Sequence, residues 1–265
     1  MLSGIPIPKD AVRPSETVLV NITPQETRVA VLEENNICEL HIERNSGHSL
    51  VGNIYLGVVK RVLPGMQSAF IDIGLERAAF LHIVDVLEQR RNPDETQRIE
   101  HMLFEGQSVL VQVIKDPINT KGARLSTQIS LAGRFLVHLP QEDHIGISQR
   151  IEDDAERSSL RERLNNLLPE NACHGYIIRT NAENASDDQL QSDINYLTKV
   201  WEHIQKQAKI QPPETLLYQD LPLSLRVLRD MFSLDTHKIL VDSTENHRRM
   251  TQFAEQYVQG ALGRI

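Results

Sequence analysis

Cysteine is scarce in this 265-residue chain. The two residues, Cys38 and Cys173, lie far apart and in no metal-like spacing, which excludes a disulfide scaffold and fits a reducing, cytoplasmic compartment. Aromatic side chains make up only 5% of the residues, with a single tryptophan. No apolar run approaches the ~18 residues that a membrane span needs. Residues 1–14 hold no apolar block of the kind found in a secretory signal. Basic charge is not in excess: the net charge is −8. The chain as a whole is therefore no basic clamp for nucleic acid, and any phosphate binding has to come from a local patch. Hydrophobic content of 40% and charged content of 24% are ordinary globular usage, which argues against a disordered chain.

Several chemical signatures are missing too. There is no Gly-x-x-x-x-Gly-Lys-Ser/Thr loop, no dinucleotide glycine fingerprint, no Gly-x-Ser-x-Gly elbow and, among ten histidines, no His-Glu-x-x-His. The acidic pairs Asp153-Asp154 and Asp187-Asp188 stand at predicted helix starts, where interaction with the helix dipole accounts for them without a metal. Asp242, at a predicted strand end, has the chemistry to hold Mg²⁺ on a sheet of the ribonuclease H type, but no partner carboxylate is evident at a matching strand end; capping or another structural role is the competing reading.

What is present is mostly short strands. Residues 1–16, with three prolines, read as a loose tail. Three β-branched runs (17–23, 26–33 and 37–42) are punctuated by Pro24-Gln25 and Asn35-Asn36, the pattern of an antiparallel meander. Residues 44–48 read as a linker. A second strand-rich block follows: 53–62, with Gly57 inside it as a bulge or bend, then 67–73, 78–82, 109–115 and 124–129, with 86–105 a helix or excursion. Five short strands of this kind suggest a small closed barrel of the OB type. Beyond Pro140 the pattern is mixed. Asp153-x-x-Glu156 precedes a helix carrying Leu160, Leu164, Leu167 and Leu168, and 175–180 reads as a strand. Ser186 starts a helix on which Leu190, Ile194, Leu197, Trp201 and Ile204 repeat at three and four, and Pro212-Pro213 ends it. A helix from Pro222, a strand at 238–241 and a helix at 243–259 close the chain.

Phe70 and Phe80 fall on barrel strands, with Tyr55 nearby. Binders of single strands use such rings because every base has a π-face, although a ring on a barrel strand is also an ordinary core residue. Between residues 115 and 134, Lys115, Lys121, Arg124 and Arg134 outnumber the single acid Asp116. Cations at a loop tip beside exposed rings make a track for a phosphate backbone; a solvated loop is the bland alternative. Arg179-Thr180, at the end of an apolar strand, pairs a forked cation with a hydroxyl and could hold one terminal phosphate, or an ordinary surface ion pair.

Longer motifs carry a family resemblance. Leu19-Val-Asn-Ile-Thr-Pro-Gln-Glu-Thr-Arg-Val-Ala30, Val51-Gly-Asn-Ile-Tyr-Leu-Gly57, Arg61-Val-Leu-Pro-Gly-Met-Gln-Ser-Ala-Phe-Ile-Asp-Ile-Gly74, Ala78-Ala-Phe-Leu-His82, Lys121-Gly-Ala-Arg-Leu-Ser-Thr127, Gly146-Ile-Ser-Gln-Arg-Ile151 and Ile177-Ile-Arg-Thr180 resemble the N-terminal half of the ribonuclease G and ribonuclease E family, on its ribonuclease G side, from about residue 18 onward.

The resemblance implies an α+β multidomain chain. It would comprise a tail at 1–16 and a ribonuclease H-like α/β subdomain (17–50 and 215–265), not itself catalytic. An S1 RNA-binding barrel of OB fold (51–130) and a 5′-sensor region (131–214) would interrupt that subdomain. It further implies RNA contacts at Phe70, Phe80, Lys115 and Lys121, and a 5′-monophosphate pocket at Gly133, Val137, Arg179 and Thr180. Arg150 matches an arginine beside that pocket, and Gln149 stands where ribonuclease E has another. The family's Mg²⁺-binding catalytic carboxylates and zinc-link cysteines lie beyond Ile265. The expectation is thus a chain that binds single-stranded RNA without cutting it, binds no cofactor itself, and exposes some apolar surface where a catalytic domain or a second copy would pack. The alternative is an active ribonuclease, through a site near Asp242 or by assembly with a separate catalytic half.

Overall fold

A computed structural model describes residues 16–44, 49–87, 98–118, 121–169, 175–232 and 235–265. The alternating runs at the start of the chain form β1 (Glu16–Ile22), β2 (Glu26–Glu33) and β3 (Asn36–Arg44). Glu34 and Asn35 take positive φ, 49° and 69°, as the tight β2–β3 turn requires. Strand β3 runs one residue into the segment read as a linker; residues 45–48 lie outside the described residues.

The next block closes into the expected barrel. Its strands are β4 (Ile54–Leu63), β5 (Ser68–Asp72), β6 (Ala79–His82), β7 (Ser108–Lys115) and β8 (Arg124–Ser126), in the order β4-β5-β6-β8-β7, with β7 pairing back onto β4. Pairs are antiparallel apart from β6–β8. A closed five-stranded barrel of this kind is consistent with an OB or S1-like fold. Val59, Ala69, Ile71, Leu81, Val111, Val113 and Leu125 fill its interior. The β4 bulge falls between Val59 and Arg61 rather than at Gly57. Gly57 answers a different need: a Cβ there would sit 2.5 Å from Cγ2 of Ile71, so the absent side chain lets β5 pack close. Of the expected helix or excursion at 86–105, Ile99–Met102 is one helical turn, and residues 88–97 lie outside the described residues.

The chain then builds a second sheet from β9 (Leu131–Ala132), β10 (Leu136–Leu139), β11 (Ile145–Ile147) and β12 (Gly175–Ile178), in the order β11-β12-β10-β9. Two helices pack with it, α1 (Asp154–Leu167) and α2 (Asp187–Ile210). Asp153 caps α1 by accepting the Ala155 N–H. Ser186 and Gln189 form the reciprocal box that starts α2, and all five periodic apolar residues of α2 are buried. Strand β13 (Thr215–Tyr218), grouped by sequence with the closing α/β segment, instead adds to the barrel sheet beside β4.

Last come α3 (Leu223–Arg226), continued as a π-turn over Val227–Met231, then β14 (Thr236–Val241) and α4 (Thr244–Tyr257). Strand β14 lies parallel to β1, giving the sheet order β14-β1-β2-β3. Val18, Val20, Val29 and Val31 pack on Leu223, Val227, Met250 and Ala254. On the other face Leu240, Leu19, Ala30 and Leu40 lie in one cross-strand row, and its three leucines are exposed. Two compact units result: Met1–His48 with Leu221–Ile265, and Ser49–Asp220.

Candidate nucleic-acid interface

Strand alternation decides which barrel residues meet solvent. Ala69, Leu81, Leu125 and Val113 lie in one row across β5, β6, β8 and β7, and all are sealed in the core. The neighbouring positions must then point outward. The bulge in β4 brings Arg61 opposite Phe70. Phe70 faces Phe80, Phe80 pairs with Arg124, and Arg124 pairs with Lys115 across a second bulge in β7. The outer face therefore carries one continuous rung: cation, ring, ring, cation, cation. The two phenylalanines are half-buried, with centroids 6.1 Å apart and planes at 65°, and the His82 ring, two residues along β6, lies 6.3 Å from that of Phe80.

Lys115 and Lys121 are exposed. Lys121 closes the β7–β8 loop, exchanging backbone hydrogen bonds with Ile118. Arg124 is committed inward: Nε and Nη2 donate to the buried Asp85 carboxylate at 2.8 and 2.7 Å. Two parts of the sequence reading change here. Tyr55 is not on this surface; it pairs with Val111 and is 4% exposed in the barrel core, because its strand parity matches Val59 and not Arg61. Arg134 is not part of the barrel's basic track, since it sits in the β9–β10 turn with its guanidinium 5.2 Å from the Phe135 ring. Asp116 accepts from Ser49 Oγ and the Leu50 N–H at the loop's root. Arg61 and His82 were not singled out by the sequence reading; the register, with its bulge, puts Arg61 opposite Phe70, and alternation along β6 puts His82 on the same face as Phe80.

The second candidate region gathers at the C-terminal end of β12. There the Arg179 N–H donates to the Phe135 carbonyl at 2.8 Å, and Arg179 Nη1 donates to the Gly133 carbonyl. Val137 pairs with both Ala132 and Ile177, next to that turn, and Thr180 opens the 3₁₀ turn Thr180–Ala182. The Ser148 N–H donates to the Ile178 carbonyl at 2.8 Å, which brings the loop carrying Arg150 alongside. Arg157 Nη1 fastens that loop through the carbonyls of Ser148 and Ile151, at 2.8 and 2.9 Å. Gln149 and Arg150 are exposed.

One residue at this point escaped the sequence reading. Asp193, on the buried stripe of α2, accepts from the N–H groups of Arg134 at 3.0 Å, Phe135 at 2.8 Å and Leu136 at 2.9 Å. A Cβ on Gly133 would lie 2.5 and 2.6 Å from the two Asp193 oxygens, so only glycine leaves room for the carboxylate. Burial pushes the Asp193 carboxyl above the ordinary carboxylate range, against the three amide donors and the Arg179 charge, which pull it down. The signal was there: a lone acid between Leu190 and Leu197 on an apolar helix face.

In the other unit, Asp242 takes the structural role. Its carboxylate accepts from Asn21 Nδ2 at 2.5 Å and from the Ile22 N–H at 2.9 Å, latching the ends of β14 and β1 together. Among the described residues, no three His, Cys, Asp or Glu side chains gather as a metal site, and no helix is long and apolar enough to cross a membrane.

A profile of the Ribonuclease E/G family matches residues 130–265. Ribonuclease G of Haemophilus influenzae is 41% identical over 248 residues, covering 91% of this chain and 50% of that protein. Ribonuclease G of Escherichia coli is 42% identical with the same coverage, and ribonuclease E of a Nostoc species 38% identical over 240 residues, covering 90% of this chain and 34% of that protein. The chain spans about half the length of the ribonuclease G relatives it matches. With a family profile over its latter half and these identities along nine-tenths of its length, this chain belongs to the ribonuclease E/G family.

Proposed function

We propose that this chain is the RNA-binding, 5′-end-reading half of a cytoplasmic, single-strand-specific endoribonuclease acting in RNA processing and decay. The observation that carries the reading is the outer rung of Arg61, Phe70, Phe80, Arg124 and Lys115. Two half-exposed rings, flanked by cations on both sides, suit unpaired bases stacking on a flat platform while phosphates run past the charges. A duplex keeps its bases paired and stacked, so the platform selects single strands.

The second sheet with α1 and α2 serves as the 5′-sensor. Arg179 and Thr180 hold a terminal monophosphate through a forked cation and a hydroxyl, with Gly133, Val137 and Arg150 around them. The sheet β14-β1-β2-β3 with its helices is the ribonuclease H-like part, its topology being three antiparallel strands followed by a parallel one beside the first. It acts as a scaffold. The described residues do not fit the Mg²⁺ centre that the family's hydrolysis requires: Asp242 is already engaged by Asn21 and Ile22, and no three His, Cys, Asp or Glu side chains among the described residues gather as a metal site.

The experiment is RNA binding by the 265-residue chain, read by fluorescence anisotropy with a labelled single-stranded oligoribonucleotide and with the same sequence as a duplex. Tighter binding of the single strand, weakened by Phe70→Ala and Phe80→Ala, is expected. Equal binding of both RNAs, or variants indistinguishable from the parent, would remove the proposal. Incubation of the same single strand with Mg²⁺ is expected to leave it intact.

A further inference from the structure

The turn Gly133–Leu136 is shaped by a residue almost 60 positions away. Its three consecutive N–H groups, from Arg134, Phe135 and Leu136, converge on the carboxylate of Asp193. Its first residue has no side chain because that carboxylate occupies the space. The two carbonyls that hold Arg179 belong to this same turn: Phe135 O accepts its backbone N–H, and Gly133 O accepts its guanidinium. Asp193 thus fixes the peptide units whose opposite ends fix Arg179. The N–H groups point to the helix and the carbonyls point to the arginine, so a rotation of either peptide unit would disturb both.

We propose that Asp193 is a positioning residue for terminal-phosphate recognition, holding the 133–136 turn so that its carbonyls aim Arg179 at the phosphate. The proposal rests on the reading of Arg179 and Thr180 as the 5′-monophosphate pocket. Mechanistically, the pocket is built from the side facing away from the ligand. The buried carboxylate organises the turn, and the turn accepts the backbone N–H and Nη1 of Arg179, which sets the direction of its guanidinium. A long, flexible side chain is thereby ordered before ligand arrives, which removes an entropic cost from binding.

Asp193→Asn separates this role from packing. It keeps the volume but puts an NH₂ donor in place of one oxygen, against N–H donors that need an acceptor. The measurement is the affinity ratio of the full chain for a 5′-monophosphorylated oligoribonucleotide over the identical 5′-hydroxyl oligomer. In the parent the ratio is about ten or more, the worth of a charge-assisted contact. In Asp193→Asn it falls towards one, while 5′-hydroxyl binding through the barrel is retained. A parent ratio of one overturns the pocket reading itself, and this proposal with it. A parent preference that survives intact in Asp193→Asn overturns the positioning role alone. Should the variant fail to fold, amide NMR of the parent decides. The Arg134, Phe135 and Leu136 resonances shift on adding the 5′-monophosphate oligomer and not the 5′-hydroxyl one, and stationary resonances overturn the proposal.

Discussion

Phe70 and Phe80 stand directly opposite one another on β5 and β6, edge to face, with centroids 6.1 Å apart. Such a pair contributes about 0.5–1.5 kcal/mol beyond area burial, so each ring holds the other in place without RNA. The backbone beneath them is fixed by the sealed row Ala69, Leu81 and Leu125. The platform is thus rigid before ligand binds, and its exposure rests on strand parity.

Replacing either ring tests that platform. Phe70→Ala and Phe80→Ala are each expected to weaken single-stranded RNA binding by about 1–3 kcal/mol, the worth of one stacked base. The double variant should lose less than the sum of the singles, because the first substitution already frees the remaining ring. Anisotropy titrations of the three variants, with circular dichroism to confirm folding, check both statements.

Lys115 and Lys121 are exposed, so their contribution to binding is electrostatic and screened by salt. Lys115→Ala and Lys121→Ala should each reduce the slope of log K against log salt by about 0.7, as expected for one phosphate contact on a single strand. Stability should hardly change. Titrations at several salt concentrations give the slope directly, and an unchanged slope would mean that the phosphates do not reach that lysine.

Arg124 sits in the same rung but is expected to behave differently. Its guanidinium pairs with Asp85, which is 3% exposed. Arg124→Ala removes an ionic partner from a buried carboxylate and is expected to destabilise the chain by about 2 kcal/mol, whereas a surface ion pair is worth far less. Arg124→Lys restores the charge but not the two-nitrogen grip on Asp85, and should recover only part of the loss. Urea denaturation measures the difference.

Asp72 sets a pH dependence. The Gly74 N–H and then Lys60 hold its carboxyl below the ordinary carboxylate range of about 3.8. A depressed acid stabilises the fold fully above its unfolded value, and that contribution disappears as pH falls through the lower folded value. Between about pH 4 and pH 2, therefore, Asp72→Asn should lose stability less steeply than the parent, and denaturant midpoints across that range read the difference.

Much of the molecule was legible from local pattern. Alternation marked β1 to β3, the three-and-four spacing marked α2, and Ser186 announced its start. The motif containing Phe70 and the motif containing Phe80 pointed to the barrel and to its family. What was not legible has a common cause. Tyr55 reads like Phe70 in isolation, and its inward direction follows from strand parity, which the bulge between Val59 and Arg61 then reverses for the rest of β4. Arg134 reads as one of a basic run, yet the chain leaves the barrel at Leu131 and carries it elsewhere.

By itself, then, the order of residues determined which segments are strands and helices, where they are capped, and which family the chain resembles. These depend on side chains within a few positions of one another. Only the tertiary structure decided that Arg61 and Lys115 end one rung, that Asp85 takes Arg124, and that Asp193 fills the space beside Gly133. Those pairings join residues that are remote in the chain, and they are selected by register, bulges and the need of buried polar groups for partners, which no local preference encodes.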